Sequence, residues 1–419
     1  MMTQAYYTGI SGLQTTSAGI NIVSDNLANA NTVGFVGSDY EFSSLFESAI
    51  DDASNIVTSD SIGLGSTLQA TPMIESSGSI MSTQNSTDLA IMGEGWFGVQ
   101  NSNNTIAYTR NGAFTFDVNN DLVTMDGEYV LGTKANNISK EDTLTSVVDS
   151  VALGDTGAQE TLRFPKNLTY PPEPTSTVTL SGNIGTEDEV RSMGASLIDS
   201  NGVANDLRVI YTQAETQPTV GTVWNVTSTV TSPDGELLDT QNGTLTFNES
   251  GALVNSTLTS VNNNGTSVAL DFGKDYSGVV GIANTDITAS TSSDGTIGGD
   301  LVGYDVNQNG EVIATFTNGK QSSVGKIALY HFQNDQGLER LSGTQFTASS
   351  NSGDAFLYKD AEGNNINGSQ IMNYSLENSN IDMTDSLTEL IVLQRSYDSS
   401  SKVITTADEM IQKALDMDA

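Results

Sequence analysis

Both ends of the chain place apolar side chains at alternating spacings of three and four residues, the pattern of a helical seam. At the N-terminal end these residues are Tyr6, Ile10, Leu13, Ile20 and Leu27, with Ser17 and Ser24 in the same register. At the other end, where no Gly or Pro occurs from Asp385 to Leu415, they are Leu387, Leu390, Tyr397, Ile404, Ile411 and Leu415. The polar residues that interrupt this second seam are Gln394, Ser401 and Asp408. The spacing predicts one long helix at each end.

The energetics of these helices leave two arrangements open. Five apolar side chains in the N-terminal seam contribute about 8–15 kcal/mol, whereas ordering roughly 25 residues costs about 25–50 kcal/mol. Gly9, Gly12 and Gly19 are expected to weaken this helix by roughly 1 kcal/mol each. Thr384 is the predicted N-cap of the C-terminal helix. Either the ends fold only on association with other copies, or they form an ordinary helix pair packed on a globular domain.

The middle of the chain has the pattern of β-structure and shows no sustained helical period between about residues 70 and 370. Turn dipeptides separate short runs of alternating or β-branched residues. These dipeptides are Asn111-Gly112, Asp126-Gly127, Asp234-Gly235, Asn242-Gly243, Asn264-Gly265, Asn309-Gly310 and Asn318-Gly319. A segment with four of the seven prolines, residues 163–174, indicates a stiff linker, and composition changes again at 285–300. The span between them is a candidate inserted domain.

Composition excludes several classes of function. The chain has 15 basic against 51 acidic residues, a formal charge of -36, which argues against nucleic acid and anionic membrane surfaces as partners. Without cysteine it has neither disulfides nor zinc–thiolate sites. The single histidine, His331, is predicted to be structural. No apolar run is long enough to cross a membrane, and the first residues do not form a cleavable signal.

Two acidic loops resemble cation sites only superficially. Residues 305–310 match the first half of an EF-hand loop, but position 316 is Phe where the closing Glu is required. Residues 117–121 lack the glycine. Both are predicted to be turns, and no metal or cofactor is expected. A glycosidase with paired carboxylates is disfavoured because no carboxylate stands out from the many solvated ones. We therefore expect a protein that is not an enzyme.

Motifs spread in order over the whole chain resemble one family, the bacterial flagellar rod and hook axial proteins. Residues 25–35 resemble its N-terminal signature, with Asn26, Asn29, Asn31, Gly34 and Phe35 as the motif residues. Residues 88–97 and 108–117 resemble its shared β-motif, and residues 379–383, 393–397 and 404–408 resemble its closing helix and the approach to it. Val33 and Val36 depart from the residues that are commoner in the family at these positions.

The resemblance implies a mainly β fold with paired α-helical termini and two β-rich domains, the outer one inserted in the inner one. The expected division is a terminal helical (coiled-coil) domain at 1–35 plus 375–419, an extended linker region at 36–71, an inner β domain at 72–165 plus 299–374, and an inserted outer β domain at 166–298. Rod proteins of the family are shorter, and residues 244–251, 301–304 and 325–329 resemble hook subunits. The hook is therefore preferred.

The function that the resemblance implies is a structural one: many copies polymerise into a flexible, curved, helical tube that transmits motor torque to the filament. Expected partners are further copies of the chain, the flagellar rod, the hook cap, the hook–filament junction proteins and the type III export apparatus, with no nucleic acid and no membrane insertion. The expected location is the extracellular, basal body-proximal hook, reached without a cleaved signal peptide. The alternatives are a distal rod-type axial protein and an acidic, β-rich surface adhesin, which would not need helical seams at both ends.

Overall fold

The computed structural model describes residues 2–48 and 61–417, and its two long helices lie at the two ends. Helix α1 (Met2–Ala28) packs against helix α2 (Met383–Met417), which confirms the predicted pair of terminal helices. The predicted N-cap, Thr384, is wrong. The backbone N–H groups of Thr384 and Asp385 both donate to the Asp382 carboxylate, so Asp382 caps α2 and the helix begins two residues earlier than predicted, at Met383.

A β-hairpin lies where the sequence predicts an extended linker at 36–71. Its strands are β1 (Glu41–Ser48) and β2 (Ser61–Ala70), which pair antiparallel, and residues 49–60 of the predicted linker lie outside the described residues. The hairpin packs on α1 through small polar side chains. The Thr15 and Ser66 hydroxyls are 3.0 Å apart, and the Ser66 N–H donates to the Ser11 hydroxyl at 3.3 Å. The region is paired and anchored to the helix.

The part of the chain between β2 and α2 consists of strands with two single-turn 3-10 helices, Thr156–Ala158 and Asp335–Gly337. The first strands are β3 (Ile80–Ser82), β4 (Leu89–Met92), β5 (Trp96–Gln100), β6 (Ile106–Thr109), β7 (Phe114–Phe116), β8 (Leu122–Thr124), β9 (Tyr129–Lys134), β10 (Glu160–Thr161) and β11 (Thr169–Tyr170). The next are β12 (Thr177–Asn183), β13 (Arg191–Ile198), β14 (Ala204–Gln213), β15 (Thr222–Thr231), β16 (Leu237–Phe247), β17 (Leu253–Ser256), β18 (Ser260–Asn263), β19 (Thr266–Asp271), β20 (Val279–Val280) and β21 (Ser290–Ser293). The last are β22 (Gly299–Val306), β23 (Glu311–Phe316), β24 (Gln321–Ile327), β25 (Leu329–Tyr330), β26 (Glu339–Ser342), β27 (Gln345–Thr347), β28 (Tyr358–Lys359), β29 (Asn365–Ile366), β30 (Gln370–Asn373) and β31 (Ser375–Glu377).

The inner β-structure is one large sheet that uses strands from both sides of the insertion. Its main order is β11-β22-β23-β24-β9-β5-β6-β27-β26, with β7, β8, β10 and β25 paired beside it. Phe97, Phe164 and Phe316 are buried in its core. The short pairs β3–β31 and β4–β30 join it to the segments that lead to and from the helices.

The outer β-structure is two sheets around a second core. One sheet is the antiparallel meander β13-β14-β15-β16-β17, and the other has the order β18-β19-β12-β20, with β21 also on β12. Alternate residues of β14 face inward, so that Leu207, Val209 and Tyr211 are buried against Trp224. Within the described chain, strands from Thr177 to Ser293 pair only with one another.

Residues 166–170, predicted to belong to the outer domain, are part of the inner sheet. Strand β11 pairs with β22, and Leu168 and Tyr170 are buried in the inner core. The chain then passes outward beside the returning strand, with a β-bridge between Glu173 and Thr296. The apolar residues within the proline-rich segment therefore move the start of the insertion beyond Tyr170.

Most predicted turns are turns. Gly127, Gly235, Gly265, Gly310 and Gly319 all have positive φ, as hairpin turns require. The acidic loops 305–310 and 117–121 are turns as predicted, each closed by a side chain that accepts two backbone N–H groups. The prediction for Asn242-Gly243 is wrong, because both residues lie inside β16. A Cβ at Gly243 would lie 2.7 Å from the Leu258 Cβ, so this glycine leaves room for the loop between β17 and β18 to approach β16.

Candidate functional site

The seam between α1 and α2 is unusually close because glycines of α1 face α2. A Cβ placed on Gly9 would lie 2.7 Å from Cγ1 of Ile404, and one on Gly19 would lie 3.3 Å from Cδ2 of Leu393. A Cβ on Gly12 would lie 3.1 Å from the Ser400 hydroxyl. The glycines that lower the helix propensity of α1 are thus the positions at which α2 approaches its backbone.

The buried row of α2 lies one residue before part of the predicted seam. The sequence assigns Gln394, Ser401 and Asp408 to the seam, but Gln394 and Asp408 are exposed. Leu393 and Ala407 are buried instead, and Ser400 between them is half-buried. These three are seven residues apart, two helical turns, and Leu393 and Ser400 face glycines of α1. The glycines of α1 leave room for side chains of α2, a signal that the apolar spacing of α2 alone does not carry.

The predicted self-assembly residues fall into two groups. The helices α1 and α2 together are here called the helical layer. The predicted residues that are half-buried in it are Ile10, Leu13, Ile20, Leu27, Leu390, Ile404 and Ile411. Those exposed are Tyr6, Leu387 and Tyr397. Leu415 lies in α2, but its side chain lies outside the described residues. The sequence pattern missed Val23, which is buried on α1, together with Leu393 and Ala407.

Three exposed apolar residues of α2 form a row beside the buried one, here called the exposed α2 row: Val392, Val403 and Met410. Their spacings of eleven and seven residues correspond to three and two helical turns, which places them on one face. The exposed fractions of these side chains are 57%, 45% and 52%. Exposed apolar side chains aligned on one face of a long helix suit a contact with another helix.

The family-motif residues fasten the end of α1 to the chain that follows it. The Asn26 side chain is buried and makes two bonds to Ser38: its amide donates to the Ser38 carbonyl at 2.7 Å, and its oxygen accepts the Ser38 N–H at 3.1 Å. Asn29 donates to the Asp25 carbonyl at 2.9 Å and accepts the Thr32 hydroxyl at 3.3 Å. Asn31 is exposed.

Gly34 and Phe35 dock this segment onto the inner β domain. Gly34 has φ +67°, and its N–H donates to the Glu377 carbonyl at 2.7 Å. The Phe35 ring is buried, and the Arg340 guanidinium carbon lies 5.1 Å from its centroid. Burial lowers the pKa of Arg340 from its usual value. The cation therefore packs between the helical segment and the inner domain, where it also lies over Phe346.

Asn380 completes the connection from the other end of the chain. Its oxygen accepts the Gly37 N–H at 2.8 Å, and its amide donates to the carbonyls of Ile74 and Ser76 at 2.9 Å and 2.8 Å. Residues 34–37 and 377–380, with Arg110 and Arg340, are here called the helix joint. Both chain segments that enter the helical layer pass through it.

A cleft of about 330 Å³ opens beside the helix joint and is lined by charged and aromatic groups, including Glu94, Trp96, Arg110, Asp335 and Glu377. Burial raises the pKa of Glu377 and of Asp335, and the Arg110 charge opposes both shifts. The sequence pattern missed these residues, although Arg110 and Asn380 lie inside segments that carry the family resemblance.

His331 is buried, and its Nε2 lies 2.7 Å from the Asn367 carbonyl. Burial lowers the pKa of its imidazole, so the neutral ring donates this bond and packs edge-on against Tyr358. Across residues 2–48 and 61–417 no cluster of three or more His, Asp or Glu side chains has the arrangement of a metal site. The helices of the described chain are also too polar or too short to cross a bilayer.

Comparisons with known proteins match successive parts of the chain to one family. The family model for flagella basal body rod proteins matches residues 7–35. The model for the flagellar hook protein FlgE/F/G D1 domain matches residues 90–160, and that for the C-terminal part of the flagellar basal body rod FlgEFG proteins matches residues 372–417. The first match covers α1 and the motif residues, and the last covers α2.

Relatives match over nearly the full length. The flagellar hook protein FlgE of Brucella suis is 31% identical over 423 residues, covering 96% of each chain. That of Escherichia coli is 27% identical, covering 99% of this chain and 100% of the relative, and that of Salmonella typhimurium is 26% identical, covering 97% and 98%. The crystal structure of Helicobacter pylori flagellar hook protein FlgE2 superposes with a TM-score of 0.52 at 16% identity, covering 71% of this chain and all of that one, and shares its fold.

Proposed function

Because the chain belongs to the flagellar hook protein family and is a subunit of the flagellar hook, we propose that its paired terminal helices bind those of neighbouring copies to build a curved tube. The observation that carries this proposal is the exposed α2 row. Helix α1 covers the buried side of α2 and leaves Val392, Val403 and Met410 in solvent. A neighbouring helix that covers these side chains removes their apolar surface from water.

Three of the residues predicted from the sequence to mediate assembly are also exposed, and we assign them to the same contact surface. Leu387 and Tyr397 are exposed on α2, and Tyr6 is exposed on α1. They extend the apolar surface to both helices, so that each pair has more than one face to offer. Helices packed around a central channel need such faces, because each pair has neighbours on more than one side.

We assign the bending of the tube to the chain segments that connect the helical layer, the inner β domain and the outer β domain. Each β domain has its own buried core. The helical layer joins the inner domain through the helix joint, and the outer domain joins it through two adjacent chain segments near Glu173 and Thr296. We infer that copies change length by movement at these connections while their cores remain packed.

The wider assembly is also proposed from the family. The chain is expected to contact the flagellar rod, the hook cap and the hook–filament junction proteins, and to leave the cell unfolded through the type III export apparatus without a cleaved signal. Its place is the extracellular hook, next to the basal body. The rod-type and adhesin alternatives are not favoured, since relatives named hook protein cover the chain end to end. The family is a structural one, and we propose no catalytic role.

The substitution Val403→Asp tests the assembly surface. Asp and Val have similar helix propensity, and Val403 is exposed, so the monomer is expected to keep its helix content within measurement error. In the polymer the new carboxylate has no partner in an apolar contact, and we expect tube formation to be lost. The measurement is the sedimented fraction under polymerising conditions, together with circular dichroism of the monomer.

The matched control is Val118→Asp, which adds the same charge at an exposed valine in a turn of the inner domain. This variant should polymerise as the parent does. If Val403→Asp polymerises normally, the exposed α2 row is not an assembly contact. If both variants fail to polymerise, the added charge itself prevents assembly.

A further inference from the structure

Glu377 ties together three chain segments at the helix joint. Its backbone carbonyl accepts the Gly34 N–H at 2.7 Å, from the segment that leaves α1. One carboxylate oxygen accepts the Gly78 N–H at 3.0 Å, and the other lies 3.3 Å from Nη1 of Arg110 in the inner domain. Glu377 itself ends β31, six residues before α2 begins. A single residue therefore connects both helical segments to the β domain, through its backbone to Gly34 and through its side chain to Gly78 and Arg110.

Arg110 is fixed on the opposite side of this connection. Its Nη2 donates to the Gly93 carbonyl at 2.9 Å, and its guanidinium carbon lies 5.6 Å from the Trp96 ring centroid. The Arg110 and Glu377 side chains are only 12% and 6% exposed. Water therefore screens the attraction between them little.

The other contacts of the helix joint have a different character. Asn380 holds Gly37, Ile74 and Ser76 through neutral hydrogen bonds, and Arg340 packs over the Phe35 ring. Neither depends on a second ionised side chain. The Arg110–Glu377 pair alone couples the position of the joint to the charge of a carboxyl group in the described chain.

We propose that Arg110 and Glu377 form a latch that holds the helical layer in one orientation on the inner β domain, and that neutralising Glu377 releases it. Release frees the Gly78 segment and the approach to α2, while Asn380 and Arg340 keep the joint connected. This inference rests on the proposed function for its role in the bending tube. The latch itself is a property of the single chain.

Acidity is the natural trigger. Burial raises the pKa of Glu377, with Arg110 opposing, and the acidic groups Glu75, Glu94 and Asp335 line the same cleft. A raised pKa means that the folded chain binds this proton more tightly than the unfolded chain does. Protonation of Glu377 as the pH falls through its pKa therefore favours the folded state while it removes the charge that Arg110 binds. Arg110 holds the pKa of Glu377 down, so separating the two while the carboxyl stays buried raises that pKa further, and protonation then favours the open latch.

The test measures the orientation of the helices in the monomer, so that it does not depend on polymerisation. The chain has no cysteine, and spin labels can be placed at introduced cysteines alone. One pair, Ser399→Cys with Val118→Cys, spans the helix joint; a second pair, Val118→Cys with Ser342→Cys, lies within the inner domain. All three positions are exposed.

The variant is Glu377→Gln, whose amide replaces one acceptor by a donor and leaves either Arg110 or Gly78 without its partner. We expect a broader distance distribution for the spanning pair and an unchanged one within the inner domain. The Gly78 amide should exchange with solvent roughly tenfold faster or more, the effect of losing a hydrogen bond to a charged acceptor. In the parent, the distance distribution of the spanning pair should broaden in the same way as the pH is lowered. In Glu377→Gln this distribution should no longer change with pH.

Glu311→Gln is the matched control, because Glu311 is a buried carboxylate 3.4 Å from the Lys326 ammonium and lies in the inner sheet away from the joint. It should leave the spanning distance and its pH response as in the parent. An unchanged spanning distance in Glu377→Gln overturns the latch. Broadening of both label pairs overturns it as well, because the ion pair would then stabilise the inner domain rather than orient the helices. Loss of tubes with an intact latch would count against the proposed assembly instead.

Discussion

The substitution Gly34→Ala should open the helix joint, because the structure leaves no room for a side chain there. A Cβ on Gly34 would lie 2.3 Å from the Asn111 backbone nitrogen and 2.5 Å from its Cα. These are backbone atoms and cannot rotate away as a side chain does. Gly34 also has φ +67°, in the left-handed region that alanine adopts only at a cost.

The expected loss has two parts. Left-handed backbone costs about 1–2 kcal/mol for a residue with a Cβ, and forcing a methyl group against fixed backbone costs about 1–3 kcal/mol. Together they weaken the closed joint by about 2–5 kcal/mol, which corresponds to roughly thirtyfold to several-thousandfold more frequent opening. The Gly37 N–H, which donates to Asn380 in the closed joint, reports this opening directly through hydrogen exchange.

Gly127→Ala is the matched control. Gly127 has φ +82°, and a Cβ there would meet no atom within 4 Å, so this variant has the backbone cost without the collision. Exchange of the Gly37 amide should then equal that of the parent. An exchange rate in Gly34→Ala within about threefold of the parent's would refute the argument, since it would mean that the joint accommodates the methyl group or is not closed in solution.

Two further predictions concern the contact between α1 and α2 and the net charge of the chain. Leu393→Ala removes a buried side chain from the seam and should weaken the pairing of α1 and α2 by about 2–5 kcal/mol; a thermal melt of the helical signal that matches the parent's would contradict this role. Polymerisation should be favoured by salt or divalent cations, because each copy carries a formal charge of -36 and salt shortens the range of repulsion to about 10 Å at 0.1 M. A polymer yield that stays flat or falls as ionic strength rises would count against it.

The sequence pattern located the helices and part of their contact surface, including Ile404, but missed Leu393 and Ala407. Apolar spacing is a reliable sign of a helix, and both terminal helices are present. The contact row depends on the partner: Gly9, Gly12 and Gly19 let α2 approach, and small or buried residues at 393, 400 and 407 fill the space. The pattern of one helix considered alone cannot supply that information.

The helix joint could not be assembled from the sequence, because its parts are far apart along the chain. Gly34, Gly78, Arg110 and Glu377 meet only in the folded chain. Three of the five motif residues, Asn26, Gly34 and Phe35, do lie at or beside this joint, whereas Asn29 bonds within the end of α1 and Asn31 is exposed. The family resemblance therefore indicated this part of the chain, but the hydrogen bonds and the ion pair of the helix joint are visible only in the folded structure.

The β-hairpin and the start of the insertion were misjudged for a related reason. A polar, Gly-rich segment resembles a linker, yet Ser66 pairs with α1 through hydroxyl contacts that hydropathy does not register. Prolines indicate a boundary, but Leu168 and Tyr170 between them are buried in the inner core. In both cases a few specific contacts outweigh the average composition of the segment.

Electron microscopy of the purified chain under polymerising salt tests most directly whether this subunit builds a hook through its terminal helices. We expect curved tubes whose inner wall is formed by α1 and α2, with Val392, Val403 and Met410 against a neighbouring copy. Short straight rods, or a chain that stays monomeric at every salt concentration with both helices already protease-resistant, would contradict it.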